Sequence, residues 1–289
     1  MIKKLFLAIF CAIFALGLNA QLLWKISGNG LKQPSYIFGT HHVAPLSLLD
    51  SIKGLNDALN SCSQMYGEVD MADMAGLQAQ SAKYVMAPQD SMLNVLFTPE
   101  EFKLIGDVVK KYMNADVNQM IMLKPAALTA SISIFQAAQT FEGFDPNKQL
   151  DATIQTKFRE RNINPKGLET AEFQFNLLFN DNLKDQAQDL LELVKDESKT
   201  MDFSRKLAKL YMAQDINGMF KLMQEPGLGL TEAKAKKLLY SRNHNWAKQL
   251  PEIMKSAPTF VAVGAGHLPG DEGVLNLLKK LGYKVTPVK

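Results

Sequence analysis

The sequence predicts an α/β protein whose mixed sheet is built from β-α-β units at its two ends, with a large helical insertion between them. Three observations carry that expectation. Short apolar, β-branched runs cluster near both ends of the chain. Amphipathic helical periodicity dominates residues 73–255. Each terminal group of runs also alternates with a helical stretch, the order expected of parallel strands joined by crossovers.

The elements follow in chain order. Lys3 and Lys4 precede an apolar run over residues 5–18 and the small, polar ending Asn19-Ala20, the layout of a secretory signal peptide. The run is shorter than the roughly 20 residues that span a bilayer. Residues 1–20 are therefore expected to be removed, leaving an exported domain over 21–289, periplasmic or secreted, without a stable membrane span. Of the two cysteines, Cys11 and Cys62, only Cys62 would then remain, so no internal disulfide can close. The core must be an ordinary apolar one, and a chain that is 47% hydrophobic can supply it. A formal charge of +3, partly from Lys3 and Lys4, with Lys and Glu interspersed along the helices, argues against a nucleic-acid partner.

Residues 22–26 and 35–38 read as strands separated by Gly28-Asn29-Gly30, a hairpin-like punctuation. A helix is expected over 48–59, then a third strand over 64–69 containing Glu68. The insertion is broken at Pro88, Pro99, Pro125, Pro146, Pro165 and residues 227–229, with a brief strand expected at 168–170. The methionine-rich stretches 113–122 and 201–223 read as core-facing stripes, because the flexible thioether packs adaptably. The chain returns to β at 259–263, passes through a helix at 273–281 and ends in a strand at 283–288.

The most informative comparison is internal. Tyr36-Ile37-Phe38-Gly39-Thr40-His41-His42 and Val261-Ala262-Val263-Gly264-Ala265-Gly266-His267 share one layout: strand, glycine, two residues, histidine. Loops at the carboxyl ends of strands carry the ligand site in open α/β sheets, and glycine permits a sharp exit that aims the next side chain into the crevice. His42 and His267 are expected to converge there, with Glu68 at the end of the third strand. Two imidazoles and a carboxylate suit a divalent metal with open positions for water and substrate. A single Gly-x-x-His carries no specificity; two copies after apolar strands, in a chain with four histidines, carry the expectation. His42 holds the motif position, which leaves His41 at the rim or in solvent. Asp70 would share a strand face with Glu68, as an accessory ligand or orienting group.

Several of these segments together resemble one family. Trp24-Lys25-Ile26, the turn from Tyr36 through Val43, Glu68-Val69-Asp70, Leu168-Glu169-Thr170 with Gln174, Arg242-Asn243, and Val263-Gly264-Ala265-Gly266-His267-Leu268-Pro269-Gly270 followed by Gly282-Tyr283-Lys284-Val285 look like the TraB/GumN family. That broad group includes the Tiki proteins, metal-dependent proteases that trim Wnt ligands. The resemblance implies a fold similar to the erythromycin-esterase and ChaN-like proteins, with two Gly-x-x-His motifs and a glutamate at the centre. On that pattern His42, Glu68 and His267 are metal-site residues. His41, where many members have an apolar residue, departs from the pattern and leaves the motif intact. Arg242 and Asn243 fall at a motif position, so they are expected to face the cleft, although most helical arginines are solvated. Arg242 would polarise a carbonyl or hold an anionic tetrahedral state. His244 is expected to be exposed. Asp151, Glu169 and Gln174 are weaker candidates, with Asp151 suited to the first turn of a helix.

The leading expectation is therefore a metal-dependent hydrolase, a Tiki-like peptidase acting on exported or extracellular peptides with Mn²⁺, Co²⁺ or Zn²⁺. Glu68 would serve as ligand or as general base. No His-Glu-x-x-His helix is present, so the protease assignment rests on the resemblance. Two other classes compete. The cleft would capture a peptide, a signal or a haem-like ligand without turnover, or the histidines and Glu68 would form a polar network that only stabilises the fold.

Overall fold

A computed structural model describes residues 21–289 apart from Asp73 and Leu228. The expected signal peptide lies outside the described residues.

The sheet grows outward from two apolar runs that lie side by side. β2 (Ser35–Thr40) and β5 (Thr259–Gly264) pair in parallel, with Phe38 opposite Ala262, Gly39 opposite Val263 and Thr40 opposite Gly264. β5 is buried along almost its whole length, as a central strand covered on both faces should be. β3 (Gln64–Gly67) joins the free side of β5 in parallel, and the two-residue β4 (Lys166–Gly167) joins β3. On the other side, β1 (Leu23–Ser27) runs antiparallel to β2, and β6 (Lys284–Pro287) closes the edge against β1. The order β4-β3-β5-β2-β1-β6 is a mixed sheet assembled from both ends of the chain, as the sequence predicts. Pro287 falls on the edge strand, where its missing N–H leaves no ladder bond unmade.

Boundaries shift where local chemistry overrides periodicity. The single helix expected over 48–59 is two, Ser47–Ser51 and Leu55–Ser61, because Gly54 takes φ of 74° between them. The strand expected at 168–170 lies two residues earlier, at Lys166–Gly167. A side chain at Gly167 would meet the Glu169 carbonyl at 2.4 Å, so only glycine allows the chain to turn back so tightly after β4. β3 stops at Gly67, not Val69.

Helices from Met74–Val85 to Ser241–Ser256 lie between β3 and β5 in sequence, with β4 among them. They form two groups. Phe158, Trp246 and Leu250 pack on the sheet with Phe38 and Phe260, whose rings lie 6.5 Å apart. A second apolar cluster, including Leu93, Val109, Leu128, Ile132 and Leu190, lies among the helices themselves. The insertion thus carries a core of its own. Its helix Pro99–Met113 begins with a reciprocal cap between Thr98 and Glu101 and has proline in its first turn, which satisfies two of the amide donors a helix start leaves open. Among the described residues no helix is long and apolar enough to cross a membrane.

Candidate functional site

β4, β3, β5 and β2 are mutually parallel, so their carboxyl ends lie along one side of the sheet, and each is followed there by a polar residue. β2 is followed by His41 and His42, β3 by Glu68, β4 by Glu169, and β5 by a tight turn, Ala265–His267, that carries His267. Neither Gly39 nor Gly264 has positive φ, and both glycines serve close approach. A Cβ on Gly39 would meet Ala265 Cα at 3.0 Å and Leu268 Cδ1 at 2.8 Å, so the first motif's glycine makes room for the second motif's turn. A Cβ on Gly264 would lie 3.2 Å from Glu68 Oε1, which instead accepts the Gly264 N–H at 2.8 Å.

Arg242 is the hub. It is buried to 8% exposure, and its guanidinium Nη2 donates to Glu68 Oε2 at 2.5 Å and to Glu169 Oε2 at 2.8 Å. Nε donates to both Glu169 oxygens at 3.0 and 3.1 Å. Nη1 donates to the Leu238 carbonyl at 3.1 Å and lies 3.0 Å from His267 Nε2. The solvation usual for a helical arginine is here replaced by two carboxylates and an imidazole. Gln174 Nε2 bridges Glu68 at 3.0 Å and Glu169 at 3.3 Å, and the Trp246 indole donates to Glu169 Oε1 at 3.0 Å. The indole ring also carries Arg242 Cζ 4.9 Å from its centroid and lies 4.4 Å from the His267 ring. Arg242 begins the helix Ser241–Ser256 directly after a π-helical turn, Lys236–Tyr240, an irregularity that recurs at functional sites.

The histidine chemistry follows from its partners. Asn243 Nδ2 donates to the Glu272 carbonyl, so Asn243 Oδ1 faces His267 Nδ1, at 2.6 Å, and accepts its proton. Nε2 of His267 is then the unprotonated nitrogen, 3.8 Å from Glu68 Oε1. Burial lowers the His267 pKa to about 3, with Glu68 opposing and the charges of Arg242 and His42 adding to the fall. Burial alone would raise Glu68; the charges of His267 and Arg242 and the Gly264 N–H outweigh it and hold the carboxyl at about 2. His267 is neutral above about pH 3, so Arg242 and Gly264 carry that effect at neutral pH.

His42 has a different partner. Its Nδ1 lies 3.0 Å from Asp151 Oδ2, and Asp151 raises its pKa to about 9, through charge and hydrogen bond, against the opposing charge of Arg242. The His42 ring is 70% exposed, so the pair lies at the solvent-facing side of the centre. Glu68 and Arg242 both shift its protonation, as groups sharing one cleft do. Asp151 thus has a specific role, one that an acid in a first helical turn could not announce.

Other expectations are corrected. His41 is not solvated: it packs between Phe141 and Tyr211, at ring separations of 4.9 and 5.3 Å, and burial drops its pKa to about 4. Asp70 does not share the Glu68 face, because β3 has already ended; it pairs with Arg159 at 2.6 Å. Asn243 faces inward, its side chain bonded to the His267 ring and to the Glu272 carbonyl. His244 is exposed as expected, paired with Glu272 at 2.5 Å. Among the described residues, no three histidine, cysteine or carboxylate side chains close around a common point. Glu68 and His267 come together, His42 stays with Asp151, and Arg242 stands between Glu68 and His267.

The model of the TraB/PrgY/gumN family matches residues 22–287. The chain belongs to that family. The match takes in all six strands and every residue of the network, so the paired glycine-histidine turns lie within the family's shared sequence. A relative, an uncharacterized protein of Treponema pallidum (strain Nichols), is 22% identical over 275 residues, covering 90% of this chain and 80% of its own. No solved structure matches the chain significantly.

The pKa directions set an expected pH profile. His267 and Glu68 have lowered folded-state values, so their contribution to stability is complete above pH 6.5 and is lost as pH falls from 6.5 towards 3 and from 4.5 towards 2. His42 has a raised value, so its smaller, solvent-screened contribution is complete below 6.5 and fades as pH rises through about 9. Urea midpoints are expected to peak near pH 6.5 and fall faster on the acid side. His267→Gln should flatten the limb between 6.5 and 4.5; a wild-type midpoint unchanged over that span would contradict the assignment.

Proposed function

We propose that this member of the TraB/PrgY/gumN family is a metal-dependent hydrolase of peptide bonds, a Tiki-like peptidase acting on exported or extracellular peptides. The observation that carries the reading is the tethering of both motif histidines through Nδ1, one to Asp151 and one to Asn243, which leaves Nε2 as the nitrogen each would offer an ion, once the ion displaces the Arg242 Nη1 contact at His267 and the proton that His42 holds up to about pH 9. Histidines that bind metals are held in this way, by an acceptor behind the ring. Two of the three donors lie near ligand spacing: donors at about 2.0–2.2 Å from one tetrahedral ion lie roughly 3.4 Å apart, against 3.8 Å between His267 Nε2 and Glu68 Oε1, whereas His42 does not close on the same point and would have to swing in from Asp151.

His42, Glu68 and His267 would hold the ion, Mn²⁺, Co²⁺ or Zn²⁺, which supplies a water of lowered pKa and a Lewis acid for the scissile carbonyl. The rest of the work falls to the chain. A carboxylate held at about 2 is a weak base, which supports a ligand role for Glu68 over a general-base role. Arg242, anchored by Glu169 on its far side, presents Nη1 and Nη2 toward Glu68 and His267, where a guanidinium can steady developing negative charge. Asp151 and Asn243 fix the orientation of the two rings.

One observation favours a second reading. Arg242 Nη1 already occupies the His267 lone pair, and its charge stands where an ion would compensate Glu68, which suits capture of a peptide, a signal or a haem-like ligand without turnover. The test is metal content of protein purified without chelator, together with peptide masses before and after incubation. Hydrolysis predicts a bound divalent ion, chelator-sensitive cleavage, and loss of metal in His42→Ala and His267→Ala. Unchanged peptide masses with saturable binding indicate capture. Lowered stability of His267→Ala with unchanged metal affinity indicates a network that only holds the fold together.

A further inference from the structure

The helix Ala171–Phe179 is largely apolar, yet none of its residues is fully buried, and Phe173 and Leu178 are exposed. Gln174, one of its three polar residues with Glu172 and Asn176, reaches Glu68 and Glu169. Leu177 and Leu178 lie three and four residues further on, so they share the face of Gln174 one turn away. There they wall a cavity of about 230 Å³ together with Ala130 and Leu238. Leu238 leads back to the same centre, because its carbonyl accepts Arg242 Nη1. Two walls of the cavity are thus each one helical turn from a side chain that grips Glu68.

The polar groups at this cavity are already committed. Lys234 pairs with Asp189 at 2.7 Å, Lys237 pairs with Asp181, and Gln186 is tied to the Ala126 N–H and to the carbonyls of Phe179 and Asp181. One group in the wall is not: the buried Thr129 Oγ1 has no hydrogen-bond partner among the described residues. Apolar walls with paired charges disfavour a charged guest, which would give up its water without finding a free counter-charge. A dry apolar cavity of about 150 Å³ already holds a benzene ring, so this one has room for a branched aliphatic or aromatic side chain.

We infer that this cavity is the side-chain subsite beside the centre, and that it selects peptides carrying a leucine- or phenylalanine-sized side chain next to the bond presented to Glu68 and His267. The inference rests on the proposed peptide hydrolysis for its meaning, and its test separates the two.

Methyl-labelled protein is titrated with N-acetyl-leucinamide, N-acetyl-phenylalaninamide and the corresponding aspartate amide. The methyl resonances of Ala130, Leu177, Leu178 and Leu238 are expected to shift saturably with the two apolar probes and to stay put with the acidic one. Ala130→Phe, which fills the space, should abolish the shifts. Leu178→Ser, at a half-exposed wall position that tolerates a polar residue, should weaken them should Ala130→Phe fail to fold. In cleavage assays, kcat/KM for a peptide with leucine at the selected position should exceed that for aspartate by roughly 10-fold or more, and Leu178→Ser should narrow the ratio. Saturable probe binding at these methyls without cleavage of any peptide would leave the subsite standing and remove the hydrolase reading. Unmoved methyls, or cleavage indifferent to the apolar side chain, would overturn the subsite.

Discussion

Replacing Arg242 by alanine is expected to cost about 3–5 kcal/mol of stability, the usual penalty for stranding a buried charge. Glu68 and Glu169 would lose their shared cation at 17% and 6% side-chain exposure, and the His267 lone pair would lose its donor. Lysine should rescue only part, because a single ammonium cannot reproduce the Nε–Nη2 fork on Glu169 while also reaching Glu68. The check is urea denaturation followed by far-UV circular dichroism at pH 7. A loss under about 1 kcal/mol would mean that the guanidinium is not the hub. In a double-mutant cycle, Arg242→Ala with Glu169→Gln should cost less than the sum of the two single changes, since each removes part of what the other leaves unpaired.

Trp246→Ala should cost about as much, roughly 3–5 kcal/mol, as large-to-small changes of a fully buried aromatic do. Trp246 is 0% exposed, and its loss would remove the Glu169 donor, the surface under Arg242 and the ring against His267 in one step. Trp246→Phe keeps a six-membered aromatic ring but loses the pyrrole part of the indole with its N–H, so it should cost less than alanine, about 1–3 kcal/mol from the lost hydrogen bond and a smaller packing defect together. The chain has two tryptophans, so a Trp24→Phe background lets fluorescence report on this site alone. Equal stability of the wild type and the alanine variant would sink the idea that Trp246 supports the network.

The sheet and the paired motifs were legible because they rest on local patterns. Apolar runs at 35–38 and 259–263 read as strands from composition alone, and the spacing from glycine to histidine showed in both copies. Glu68 was legible by its position after a strand. Arg242 and Asn243 needed the family resemblance, because nothing in a helix sequence distinguishes an inward arginine from a solvated one. The partners were not legible. Asp151 and Glu169 look like ordinary acids near helix starts until tertiary contact gives one to His42 and the other to Arg242. Asp70 was misplaced because alternation was carried past Gly67, where β3 had already ended. The packing of His41 was not legible, because sequence cannot show that Phe141 and Tyr211, far along the chain, lie against a residue expected at the rim or in solvent.

The strand order has a consequence for biogenesis. β5 lies between β2 and β3, yet it is nearly the last strand made, and the bond from Gly264 to Glu68 spans 196 residues. Until that segment is present, the N–H and C=O groups with which β2 and β3 pair to β5 have no partner strand, a condition that favours sticking to other chains. A truncated copy ending before β5 therefore lacks both the central strand and His267; the last tenth of the polypeptide closes the sheet and completes the Glu68–Arg242–His267 network together.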